Sequence, residues 1–159
     1  MRHETWWAVV VFGAVTACGH EFEPPDRAAR VQEAAATYSA TVFDSLEWAS
    51  EDVRLSDGNE IYAASCRRCH GTLGRGETSY ARERDLDVPS LVEPDWHLAD
   101  LDTLRKVIFI GHEEGMPVYG DGGLAPREID GVAAYILWSL RPDVLEAGSS
   151  GGRDSSHRP

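Results

Sequence analysis

The 159-residue sequence predicts an all-α fold, and three observations carry that expectation. Apolar residues at positions 101, 104, 107 and 108, and again at 129, 132, 133, 136 and 140, recur at helical spacing. No stretch alternates apolar and polar residues convincingly as a half-buried strand would. Gly111 and Pro142 stand just beyond the two apolar runs, where helix stop signals belong. The length suits one domain with an additional arm. Fifteen Lys+Arg against twenty-seven Asp+Glu give a net charge of −12, which repels phosphates and excludes nucleic-acid binding. With 42% apolar and 26% charged residues, wholesale disorder is excluded as well.

Taken in order, the first element is Trp6 to Ala17, an apolar run of about twelve residues behind Arg2. A transmembrane helix needs ~20 such residues and a signal-peptide core ~7–15, so residues 1–17 read as an export signal. The run ends in Val15-Thr16-Ala17-Cys18, which resembles the lipobox of bacterial lipoproteins. That resemblance implies cleavage before Cys18 and lipid on its thiol, hence a protein on the periplasmic side of the bacterial cell envelope, lipid-anchored to a membrane. The alternative is a soluble secreted protein with Cys18 free or discarded. Either way the mature chain faces an oxidising compartment.

Residues 18–56 read as an acidic arm, with three Arg against eight Asp+Glu over 19–56. Glu23-Pro24-Pro25-Asp26 looks like a helix start, and Val31, Ala34, Ala35, Tyr38 and Val42 share one face, which predicts a helix over 26–43. Phe43 and Trp48 call for burial, so the arm is expected to pack on the main domain, placed at 57–145. Asp57-x-x-Glu60 reads as a capping box opening that domain's first helix. Gly71, Gly74 and Gly76 break the pattern beyond that helix; further helices are expected from Leu101 to Gly111 and from Pro126 to Leu140. Ala125 lacks the side-chain acceptor usual at an N-cap, a small stability defect that Pro126 and Glu128 partly offset. Residues 146–159, polar and low in complexity from Gly148, are expected to be a disordered tail.

Cysteine usage narrows the chemistry. With Cys18 lipidated, only Cys66 and Cys69 remain, in Cys66-Arg67-Arg68-Cys69-His70. C-x-x-C-H is the attachment motif of c-type haem: each thiol adds to a vinyl group, and the adjacent imidazole turns onto the iron. A thioredoxin-like pair needs a strand before it, whereas Ile61-Tyr62-Ala63-Ala64-Ser65 looks helical. A zinc site lacks a second Cys pair. A disulfide between residues three apart closes a short loop and contributes little. A sixth iron ligand is then required, and Met116 is the single methionine of the mature chain. Its setting, Gly115-Met116-Pro117, suits a thioether held at fixed distance better than a core gap-filler.

These residues resemble class I cytochrome c, specifically the small bacterial haem c domains, over residues 57 to about 142. The resemblance implies three to four helices wrapped around one covalently attached haem c, with iron held by His70 and Met116. It further implies that Gly58 and Tyr62 on the first helix face Tyr135 on the last. The Pro89 carbonyl would fix Nδ1 of His70, and Trp96 would donate to a haem propionate or simply be buried. A filled coordination sphere leaves one-electron transfer, not catalysis, as the expected function. The alternatives are a haem subunit of a membrane respiratory complex, or a peroxidase-like enzyme using His97 or His112 at an open iron. The partners implied are redox proteins or a respiratory complex. Because the chain is acidic and holds a single lysine, Lys106, the partner's docking face is expected to be neutral or basic, or the contact apolar.

Overall fold

A computed structural model describes residues 26–96 and 100–151, with side chains through residue 148. The Trp6–Ala17 run, Cys18, His97 and residues 152–159 lie outside the described residues. Among the described residues there is no strand, so the all-α expectation holds.

The arm is helical but not one helix. α1 spans Arg27–Thr37, and Asp26 caps it by accepting the Ala28 N–H at 3.0 Å. Tyr38 leaves the helix with ψ at 131°, and α2, Thr41–Asp44, starts afresh. The break corrects the expected single helix over 26–43 and has a packing reason. It lets the Tyr38 ring meet Phe109 edge-on at 5.4 Å while Phe43 turns inward to 4% exposure.

The helix that leads to the haem motif, α3, spans Glu51–Ile61 and opens at Ser50, whose hydroxyl accepts the Val53 N–H at 3.2 Å. Asp57 is therefore mid-helix and is not a cap. Extended backbone at Ser50, with Glu51 and Asp52 at the positive helix end, wins the start seven residues earlier. The domain boundary placed at 57 accordingly falls inside a continuous helix.

α3 crosses α7, Pro126–Tyr135, at a contact so close that a Cβ on Gly58 would lie 2.1 Å from the Gly131 carbonyl oxygen. One turn along, Tyr62 and Tyr135 meet at 5.6 Å between centroids. α7 begins at Ala125 as expected, and Glu128 makes good the missing cap by accepting the Ala125 N–H at 2.7 Å.

The chain then passes through a π-helical turn, Ile136–Leu140, straight into α8, Arg141–Gly151. Pro142 does not stop it. The Arg141 N–H reaches back five residues to Ile136, and after this change of register the proline's missing N–H falls in the first turn of α8. Residues 146–151, expected as the start of a disordered tail, are helical.

Between these elements α6, Leu101–Ile110, is capped by Asp100 and ends at Gly111, as the apolar pattern predicts. A buried carboxylate ties arm and domain together. Asp130, 1% exposed, accepts from Arg54 Nε and Nη2 at 2.9 and 2.8 Å. It also accepts from Arg105 Nε at 2.8 Å and Trp48 Nε1 at 2.7 Å. Burial pulls this carboxyl upward, but the bonds from Arg54, Arg105 and Trp48 outweigh it and hold it below the ordinary range.

Candidate haem-binding site

Both cysteines and His70 sit where α3 stops being an α-helix. A π-helical turn, Tyr62–Cys66, widens the chain, and α4, Arg67–His70, completes the motif. The Arg67 N–H bonds the Tyr62 carbonyl five residues back, and the Tyr62 hydroxyl donates to the Gly71 carbonyl at 2.7 Å, clamping the end of α4. Cys66 and Cys69 are both free and half-buried. Burial, then the neighbouring Cys69, push the Cys66 thiol up to about 12, which keeps it a neutral S–H.

His70 is largely enclosed, and burial lowers its proton affinity against a smaller opposing effect of the Pro89 backbone. A neutral imidazole is the form that binds a metal. Its Nδ1 is buried without a partner in hydrogen-bonding geometry, yet the Pro89 carbonyl is the backbone group acting on the ring. The loop that brings Pro89 there is held by a contact only glycine permits. Gly76 has φ 78°, and a Cβ on it would lie 2.2 Å from the Val88 carbonyl oxygen. The Gly76 N–H also donates to the His70 carbonyl at 2.9 Å, so the Pro89 loop and the motif are pinned at one point.

Met116 lies in a closed turn after α6. The His112 N–H donates to the Met116 carbonyl at 3.0 Å and the Gly115 N–H to the His112 carbonyl at 3.2 Å. Its half-buried side chain packs in the same apolar cluster as Cys66. Three residues on, Tyr119 donates its hydroxyl to the Ser65 carbonyl at 2.9 Å. Burial and then the two cysteines push that phenol up to about 12, which places Tyr119 beside both thiols. The methionine turn and the cysteine helix are thus adjacent.

The residues present fit a covalently attached haem. Two unpaired thiols, a buried imidazole with an orphaned Nδ1 beside a proline carbonyl, and a half-buried thioether share one apolar region. Among the described residues no group of three or more His, Cys, Asp or Glu could hold a bare metal ion. His112 faces outward, its side chain 63% exposed and 3.7 Å from Glu114. Trp96 is 8% exposed beneath the Arg141 guanidinium, which accounts for it by burial.

Sequence reasoning missed Tyr119, the π-helical turn and the arginines around Asp130. Asp130 itself gives a signal, a lone carboxylate between Ile129 and Val132 on an otherwise apolar helix face.

Comparison with known proteins agrees with this site. The cbb3-type cytochrome c oxidase subunit CcoP of Rubrivivax gelatinosus is 28% identical over 102 residues, covering 63% of this chain. The chain spans 31% of that relative's length. No solved structure matches. The family described as cytochrome c oxidase, cbb3-type, subunit III matches residues 53–136, from the first turn of α3 to the end of α7, and so takes in the whole candidate site. The chain belongs to that family and carries a class I cytochrome c domain, which implies covalently bound haem c.

Proposed function

We propose that this chain is a haem-bearing electron-transfer subunit of a membrane respiratory oxidase complex, and not the freely diffusing carrier that the site alone first suggests. The observation that carries the reading is the family match lying across free Cys66 and Cys69 and the buried His70. Cys66 and Cys69 hold one haem through thioethers, His70 and Met116 ligate its iron, and Cys18 carries the lipid that keeps the protein on the periplasmic side of a membrane.

When bound, a c-type haem supplies a one-electron iron couple whose potential methionine ligation and burial raise. The chain's own residues do the rest. With haem bound, the Pro89 carbonyl would accept from the Nδ1 of His70 and orient the imidazole, so that Nε2 is the free ligand atom. The clamp from Tyr62 to Gly71 and the turn closed by His112 and Met116 fix the two ligand-bearing segments, so little reorganises when the charge changes. The apolar cluster of Trp96, Leu104, Ile108 and Ile136 excludes water. An enzyme with an open iron finds no support at His112, which is exposed.

Expression with a haem-maturation system and absorption spectroscopy test the site: a low-spin c-type spectrum that is lost in Cys66→Ala, Cys69→Ala and His70→Ala supports it. Purification from the native membrane tests the assembly. Fixed stoichiometry with a terminal oxidase supports the subunit reading, and recovery as a lone haem protein restores the carrier.

A further inference from the structure

The chain is acidic, but its charge is not spread evenly. Of the nine Lys and Arg between residues 57 and 144, five lie between 67 and 84, where only Glu77 and Glu83 oppose them. The fold brings two of these, Arg68 and Arg84, together on one aromatic ring, and Arg67 and Arg82 sit on the same two short helices. α5, Ser79–Glu83, is tied to α4 by Thr78, whose hydroxyl donates to the Cys69 carbonyl at 3.2 Å. Tyr80 of α5 is stacked by two guanidinium groups, Arg68 and Arg84, each 3.9 Å from its ring centroid. Arg67 stands beside Arg68 on α4, and Arg82 is fixed by donating to the Glu77 carbonyl at 3.0 Å.

Glu83 reaches Arg84 at 3.9 Å; among the described residues Arg67, Arg68 and Arg82 have no carboxylate at salt-bridge distance. Asp85 follows Arg84 directly and makes a left-handed turn (φ 52°), after which Leu86 packs against Gly115 of the methionine turn and Asp87 follows. Arginines held over an aromatic ring have already lost part of their side-chain freedom, which suits them to carboxylates on a partner.

We propose that the face formed by α4 and α5, centred on Arg68 and Arg84 stacked on Tyr80, docks an electron-transfer protein that presents a carboxylate-rich surface. This reverses locally the neutral or basic partner expected from net charge. It rests on the electron-transfer reading above, because Arg67 and Arg68 lie between the two attachment cysteines and a partner docked there abuts the attached edge of the haem. Local charge within about 10 Å governs docking at physiological salt, and the distant carboxylates are screened.

The test uses the haem-loaded full chain, reduced and isotope-labelled, whose absorption spectrum first certifies haem attachment. A missing haem spectrum therefore counts against the function and not against the docking face. The redox-inert anion hexacyanochromate(III) should broaden backbone NMR signals of residues 67–84 first. Arg84→Glu should remove that effect, while Lys106→Glu, the same change in total charge on α6, should not. Oxidation by ferricyanide should slow as salt rises, although the net charge of −12 predicts acceleration. Arg84→Glu should lower its low-salt rate about threefold or more. An acidic flavodoxin should shift signals on the same face and release by about 0.3 M salt. Broadening centred elsewhere, ferricyanide oxidation that speeds up with salt, or a lysine-rich cytochrome occupying this face in place of the flavodoxin would overturn the proposal.

Discussion

Gly58→Ala and Gly148→Ala are the same chemical change in two helices, and the structure gives them opposite signs. A Cβ at Gly58 would lie 2.1 Å from the Gly131 carbonyl oxygen, 2.6 Å from its carbon and 2.8 Å from the Tyr135 Cβ. Two of these are backbone atoms of the facing helix, so no rotamer relieves the clash. Reaching ordinary contact, about 3.4 Å, requires α3 and α7 to part by more than 1 Å. That loosens the Tyr62–Tyr135 pair and strains the bonds from Arg54 to Asp130. Overpacking of this kind costs about 1–3 kcal/mol, and opening a well-packed contact adds to it. The better helix propensity of alanine offsets about 1 kcal/mol.

A net loss of about 2 kcal/mol is expected for Gly58→Ala. At Gly148 nothing lies within 4 Å, so propensity alone acts and Gly148→Ala should gain about 0.5–1 kcal/mol. Urea denaturation of the haem-loaded proteins, followed by far-ultraviolet circular dichroism, measures both. If the two variants shift the midpoint in the same direction, the close crossing of α3 on α7 is not what glycine is there to permit.

Three further outcomes are expected at the site and its supports. Asp130→Asn removes the charge that faces buried Arg54 and Arg105 and should cost about 3–5 kcal/mol at neutral pH. Because folding lowers this carboxyl below its unfolded value of about 4, its stabilisation is present above that pH and fades as pH falls below it. Acid titration of stability should therefore be flatter in Asp130→Asn than in the parent. Met116→Ala should abolish the weak charge-transfer band at the red end of the oxidised spectrum and admit carbon monoxide or cyanide; persistence of the band removes Met116 from the iron. Cys18→Ser should release the protein to the soluble periplasmic fraction with its haem spectrum intact, and unchanged membrane fractionation would mean that another feature holds it.

The parts of the fold readable from sequence are those governed by local pattern. Leu101–Ile110 follows from its apolar spacing and Gly111, and Pro126 marks the start of α7. The motif at 66–70 is legible because few residue types do that chemistry. What is not legible depends on partners far away in sequence. The start of α3 turns on Ser50 winning over Asp57, and nothing in a four-residue window distinguishes two good caps. The break at Tyr38 exists because Phe109, seventy-one residues later, offers its ring. Pro142 misleads because its usual effect presumes an α-helical register, whereas the π-helical turn before it has already changed that register.

The buried carboxylate shows why the arm belongs to the folded domain and is not a mere spacer. α3 runs into the thiols and His70, and α6 runs into the turn that holds Met116. Asp130 bonds Arg54 on the first and Arg105 on the second, and its remaining bond goes to Trp48 of the arm. The elements that lead to His70 and to the Met116 turn are thus fixed to one carboxylate on α7. Arg127 stacks on the far side of this contact, its guanidinium 3.7 Å from the Trp48 ring centroid, and donates to the Glu47 carbonyl at 2.6 Å. Removing the arm would leave Asp130 short of a donor, take Phe43 out of the core and uncover the Phe109 face of α6. A charge buried among arginines tolerates such losses poorly, so damage in the arm is transmitted to the spacing of α3 and α6.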